Sequence, residues 1–179
     1  MSAKSNRYIK ILFLTLLAST IAFYFQTQRS PNNQHTLDIL KAKTATESQV
    51  IRVIDGDTIV VSINHKPETI RLLGINTPET VKPNFPVECY GPEASKHIKE
   101  LLTDKIVHLE SDPSQDDRDR YHRLLRYVFL VKSNVNESLI RDGYAREYTF
   151  KHPYKYQKQF RVDQKQAKTN RLGLWKNCP

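Results

Sequence analysis

With 179 residues, 39% hydrophobic and 26% charged, the chain is sized for one domain plus an extension and is too apolar for a disordered polyelectrolyte. Its net charge of +9 falls to +6 without residues 1–25, which hold Lys4, Arg7 and Lys10 and no acid, leaving 25 cations against 19 acids. A body that is basic in its own right favours polyanions, nucleic acid first and an anionic membrane second.

Residues 1–10 are polar and basic, and Ile11 to Phe25 is apolar apart from Thr15, Ser19, Thr20 and the Tyr24 hydroxyl. A positive stretch before a short apolar run reads as an export signal. Counted from Tyr8, the run is also near the lower limit of about 17 residues for a membrane span. Thr20-Ile21-Ala22 offers a small-residue cleavage site, while Phe23, Tyr24 and Phe25 suit an interfacial anchor. The residues leave a cleaved signal and a retained membrane anchor (8–25) both open. Either way the positive charge stays inside, which places the rest of the chain outside the cytoplasm. Residues 26–47 are polar and read as a linker, with the domain proper over 48–179.

From Gln49 the pattern changes. Val50, Ile51, Val53 and Ile54 form a β-rich run that ends at Asp55-Gly56. Thr58 to Ile63 is a second strand, Asn64 to Pro67 a turn, and Glu68 to Leu73 a third strand. Prolines punctuate the next loop, and Pro92 suits the first turn of a helix over 93–102 with Ile98, Leu101 and Leu102 facing inward. Ile106 to Leu109 is a fourth strand, 112–120 a charged, solvated loop, and Leu124 to Val131 a fifth strand. Asn134 can cap a short helix that Gly143 ends, and a basic helix follows over 154–169 before Leu172-Gly173-Leu174-Trp175. Five short strands with a helix after the third predict an α+β fold: a five-stranded Greek-key barrel of the OB type with about three helices.

The stretch Ile54 to Glu79 gathers chemistry: the acidic turn Asp55-Gly56-Asp57-Thr58, a strand bearing Arg71, and the exit Asn76-Thr77-Pro78-Glu79. With Tyr90-Gly91-Pro92-Glu93-Ala94-Ser95, Asp119-Arg120-Tyr121-His122-Arg123, Val135-Asn136-Glu137 and Gly173-Leu174-Trp175, it resembles the thermonuclease family of staphylococcal-nuclease-like domains over roughly residues 49–175. The resemblance implies the OB barrel with three helices. It implies Asp57 and the backbone of Thr77 as Ca²⁺ ligands, with Asn76 where the family usually has a second Asp. Asn keeps an oxygen but loses the charge, so a weaker cation site is expected. It implies Arg71 and Arg123 on the scissile phosphate and Glu79 on the attacking water. His122 stands where the family has Gly, a strained position for His if the backbone there needs positive φ. Tyr121 and Tyr148 match tyrosines beside the nucleotide, and Phe150 keeps a stacking face without the hydroxyl.

Each residue also has a plainer reading. Asp55-Gly56-Asp57 suits a simple turn, Arg71 a solvated face, Glu79 a surface position, and Phe150 a core or rim position. The six histidines have no metal-pair spacing, which argues against zinc. Two cysteines and no CxxC agree with export. Cys89 and Cys178 either form one bridge, worth about 4–5 kcal/mol at most for so long a loop, or are unrelated thiols. Together these readings predict an exported or membrane-anchored, monomeric, Ca²⁺-dependent nuclease cutting DNA and RNA with little sequence preference. The alternatives are an OB module that binds single strands without cutting, and a protein-interaction domain.

Overall fold

A computed structural model describes residues 45–80 and 86–178. The expected leader (1–25) and residues 26–44 of the expected linker lie outside the described residues. No helix among the described residues is long and apolar enough to cross a membrane.

Strand β1 spans Ala45–Asp55, so the last residues of the stretch read as linker are already strand. Glu47, Ser48 and Gln49 carry no apolar alternation. They extend because they pair antiparallel with β5 (Ile106–Glu110), Glu47 opposite His108 and Gln49 opposite Ile106. Two register shifts, between Val50 and Arg52 and between Val53 and Asp55, then bend β1 so that its second half pairs with β2 (Thr58–Ile63). Asn64 and His65 take φ of 50° and 63°, the left-handed pair of a two-residue hairpin, and β3 (Lys66–Leu72) returns along β2. The hairpin is thus tighter than the four-residue turn expected.

β6 (Leu124–Leu130) pairs antiparallel with β5 and parallel with β3, Ile70 opposite Leu124 and Arg71 opposite Leu125. This closes a barrel in the order β3–β2–β1–β5–β6, the five-stranded OB arrangement expected. Two short ribbons add to it. β7 (Ser133–Asn134) folds onto β6, and β4 (Ile75–Asn76) pairs with β8 (Arg146–Glu147).

Four helices lie among the described residues: the three expected and one extra turn. α1 (Gly91–Leu102) carries Pro92 in its first turn and buries Ala94, Ile98 and Leu102 at four-residue spacing. α2 (Val135–Arg141) is capped by Asn134, whose side chain accepts from the Glu137 N–H at 3.3 Å. α3 (Gln157–Thr169) buries Phe160 and Ala167, and α4 (Leu174–Asn177) is the extra turn. The barrel interior holds Val50, Ile59, Val61, Ile70, Leu72, Val107 and Leu109, all essentially inaccessible. Asn136 is fully buried. Its amide nitrogen donates to the Leu73 carbonyl at 2.8 Å and its oxygen accepts from the Val128 N–H at 3.0 Å, which ties α2 across the β3–β6 seam. A buried Asn136 is not a glycan acceptor, although Asn136-Glu137-Ser138 has that pattern. Cys89 and Cys178 are bonded, their Cα atoms 5.8 Å apart across a separation of 89 residues.

Candidate active site

The acidic turn between β1 and β2 folds on itself: Asp55 Oδ1 accepts the Asp57 N–H at 3.0 Å. Asp57 is only 5% exposed, and each of its oxygens is held. Oδ1 accepts from the Thr58 hydroxyl at 3.0 Å. Oδ2 accepts the Thr77 N–H at 3.0 Å and lies 3.0 Å from Arg71 Nη2. Burial first, and then the negative charge of Asp57, push Asp55 up to about 6. A Cβ on Gly56 would stand 2.7 Å from the Thr77 Oγ1, so only glycine lets the turn and the β4 exit approach this closely.

Arg71 is no solvated charge. On β3 it sits opposite Thr58, and its guanidinium is turned along the rim. Nη1 donates to the carbonyls of Leu72 (2.7 Å) and Ile75 (2.9 Å), and Nη2 donates to Asn76 Oδ1 at 3.1 Å. Asp57, Arg71, Asn76 and Thr77 are therefore one bonded cluster. The planar fork of arginine can serve all these oxygens at once.

Glu79 lies two residues beyond Thr77. Its N–H donates to Glu88 Oε2 at 3.0 Å, its carbonyl accepts the Glu88 N–H at 2.9 Å, and its own Oε1 accepts the Thr80 N–H at 2.8 Å. The segment is thereby clamped beside Cys89 and its disulfide.

Arg123 directly precedes Leu124, which pairs with Ile70, so it enters the same seam one strand away from Arg71. A turn aims it. His122 takes φ of 64°, the positive angle at the position where the resemblance has glycine. Asp119 Oδ1 accepts the N–H groups of Tyr121 (2.9 Å) and Arg123 (3.0 Å), and Oδ2 receives Arg123 Nε and Nη2, each at 2.7 Å. Burial raises the Asp119 carboxyl, but the Arg123 hydrogen bonds and charge outweigh it and hold the group below its usual range. The Arg120 and Arg123 guanidiniums lie 4.8 and 5.3 Å from the Tyr121 ring centre.

Tyr121 is 63% exposed and Phe150 69%, so neither is a core residue. Tyr148 and Phe150 stack at 6.5 Å, and the Tyr148 N–H donates to the Gly74 carbonyl at 2.9 Å, just before β4. The aromatics therefore form two groups, one under the arginines of the 119–123 turn and one beyond β8. Asp119 and Arg120 were quoted from sequence only as part of the resembling motif and given no role, though the four-residue spacing from Asp119 to Arg123 was there to read. Nor was the charged loop simply solvated. Asp112 is buried, accepting from Tyr127, Ser114 and the Lys155 N–H, and Asp117 pairs with Arg126 at 2.6 Å.

Among the described residues no three His, Cys, Asp or Glu side chains converge as metal ligands. Asp57, Asn76 and the Thr77 carbonyl offer oxygen only, the donor set of a hard divalent cation, with one carboxylate among them. They fit such an ion in kind and at low charge. An OB barrel that bonds Asp57, Arg71, Asn76 and Thr77 into one cluster, with Arg123 entering the strand beside Arg71, carries the residue types that phosphodiester chemistry uses.

Residues 69–177 match the family described as Staphylococcal nuclease homologue. The chain is 42% identical over 157 residues to the Thermonuclease of Staphylococcus hyicus, covering 88% of this chain and 90% of that one. It is 42% identical over 153 residues to Endonuclease YncB of Bacillus subtilis, covering 85% and 71%. It is 36% identical over 166 residues to the Thermonuclease of Staphylococcus intermedius, covering 92% and 95%. The chain belongs to the staphylococcal nuclease homologue family.

Proposed function

We propose that the protein is an exported, Ca²⁺-dependent endonuclease that hydrolyses DNA and RNA with little sequence preference. Family membership supports a nuclease, and relatives over most of the chain carry the names thermonuclease and endonuclease. The observation that carries the reading is the cluster of Asp57, Arg71, Asn76 and Thr77 next to the seam that seats Arg123. Arg71 and Arg123 grip the scissile phosphate and neutralise charge that grows on its oxygens as a fifth ligand adds. Glu79 accepts a proton from, or aligns, the attacking water. The water oxygen bonds to phosphorus, the bond to the 5′-oxygen breaks, and the 5′-hydroxyl leaves with a proton, giving a 3′-phosphate end. Asp57, Asn76 and the Thr77 carbonyl would hold the cation, which supplies a positive charge to a phosphate oxygen when bound. Tyr121, Tyr148 and Phe150 stack on bases, which favours single strands. The basic leader and apolar run support export, and a bridged Cys89–Cys178 pair suits an oxidising compartment.

The test is cleavage of single- and double-stranded DNA by the purified protein across a Ca²⁺ titration, with chelator and Glu79→Ala as controls. Turnover should need Ca²⁺, stop with chelator, and fall by roughly 10²–10⁴ in Glu79→Ala. Binding without turnover in any divalent cation would overturn the reading in favour of a non-cleaving strand-binding module.

A further inference from the structure

The ribbon that borders the site continues into a second cationic surface. In the β4–β8 pair, Asn76 stands opposite Arg146. Arg146 is exposed, and its guanidinium lies 5.4 Å from the centre of the Trp175 ring. Lys168, exposed near the end of α3, places its ammonium 4.5 Å from the same ring. Among the described residues neither cation is ion-paired with a carboxylate, unlike Arg71, Arg118, Arg123, Arg126 and Lys155. Asn170, Arg171, Leu172, Gly173 and Lys176, close in sequence to Lys168 and Trp175, line a shallow open depression, two of them cations. Two cations held against one aromatic ring are already partly ordered, so less side-chain entropy is lost when an anion takes them.

We propose that Arg146 and Lys168, positioned by Trp175, form a second phosphate-binding site for the nucleic-acid strand outside the scissile position. The proposal rests on the nuclease reading above. Continuity with β4 is what selects a strand as the occupant. A polynucleotide held at Arg71 meets Arg146 across the ribbon, opposite Asn76, and its regular anions can reach both. Long substrates are then gripped at two places and very short ones at one.

The experiment compares the full chain with the double variant Arg146→Gln/Lys168→Gln, and with Lys99→Gln as an exposed cation on α1. Substrates are a dinucleotide and a 20-nucleotide single strand. For the 20-mer, KM should rise on the order of tenfold with kcat unchanged, and the slope of log affinity against log salt, read in chelator, should flatten by about 1.4, two phosphates' worth. For the dinucleotide, KM should not move, and Lys99→Gln should change neither. Trp175 is the only tryptophan, so its emission in the unaltered protein should shift on binding the 20-mer and not the dinucleotide. Equal KM changes for both lengths, or an unchanged 20-mer KM and salt slope, would overturn the second site. Absence of cleavage for every length would instead sink the nuclease reading, while the salt slope and Trp175 emission would still decide the second site.

Discussion

Asn76 shares its oxygen between two demands. It accepts from Arg71, and it belongs to one of the three groups proposed to hold the cation. Asn76→Asp adds a charge without changing shape, so the Ca²⁺ concentration for half-maximal activity should fall, read by titration against a fixed substrate. Asp119 holds Arg123 by its backbone N–H and its guanidinium, so on the proposed function it is a positioning residue. Asp119→Asn keeps the oxygen that accepts two backbone N–H groups but loses the ion pair, so kcat should fall about tenfold, well short of the roughly 10²–10³ expected for removing Arg123 itself. Asp55 gives the pH prediction. Its folded value, about 6, lies above its ordinary 3.8, so the stabilisation tied to its neutral form is complete below 3.8 and lost as pH rises through about 6. In chelator, Asp55→Asn should therefore raise Tm at pH 8, by at most about 3 kcal/mol of stability, and leave it unchanged at pH 4. The candidate site residues could be named from sequence because their types and order match a family. Their restraints could not. That Asp57 is nearly inaccessible, or that Asp119 and not solvent faces Arg123, depends on partners set by chain closure rather than by local composition.

Elements were legible where burial imposes a period. α1 shows it in the four-residue spacing of Ala94, Ile98 and Leu102, whereas β2, buried at four successive residues from Thr58 to Val61, was legible from its β-branched run. The start of β1 was not, because Glu47 and Gln49 extend through backbone pairing with β5 and remain exposed. The junction of α2 with the C-terminal turn is a sharper case. Gly143 and Gly173 both have positive φ, 79° and 52°, and their backbones touch, with the Leu174 N–H donating to the Gly143 carbonyl at 2.9 Å. A Cβ on either glycine would collide with backbone that cannot swing aside. Gly143→Ala and Gly173→Ala should each cost at least about 2 kcal/mol, seen as a lowered urea midpoint, far above the effect of an ordinary surface substitution.

At the scale of the molecule, the bridge between Cys89 and Cys178 ties the segment before α1 to the end of α4. By loop closure alone, reduction or Cys89→Ser/Cys178→Ser should lower stability by up to about 4–5 kcal/mol. Glu79 hydrogen-bonds Glu88, next to that bridge, so activity at temperatures well below unfolding should also drop in the reduced protein. The OB topology itself was readable from strand count and order, whereas the parallel β3–β6 contact that closes it has no signature in either strand.

That seam has a consequence for how the protein is made. Ribosomes release β3 well before β6, and the pairing of Ile70 with Leu124 must wait for the later strand. An unfinished chain can carry Asp57, Arg71 and Glu79 yet lack Arg123 and any closed barrel to hold the others in place. For a nuclease, this ties the proposed hydrolysis to closure of the barrel. A product terminated before Leu124 has no strand to close the seam with Ile70, so on the proposed function cutting belongs only to chains long enough to dock β6.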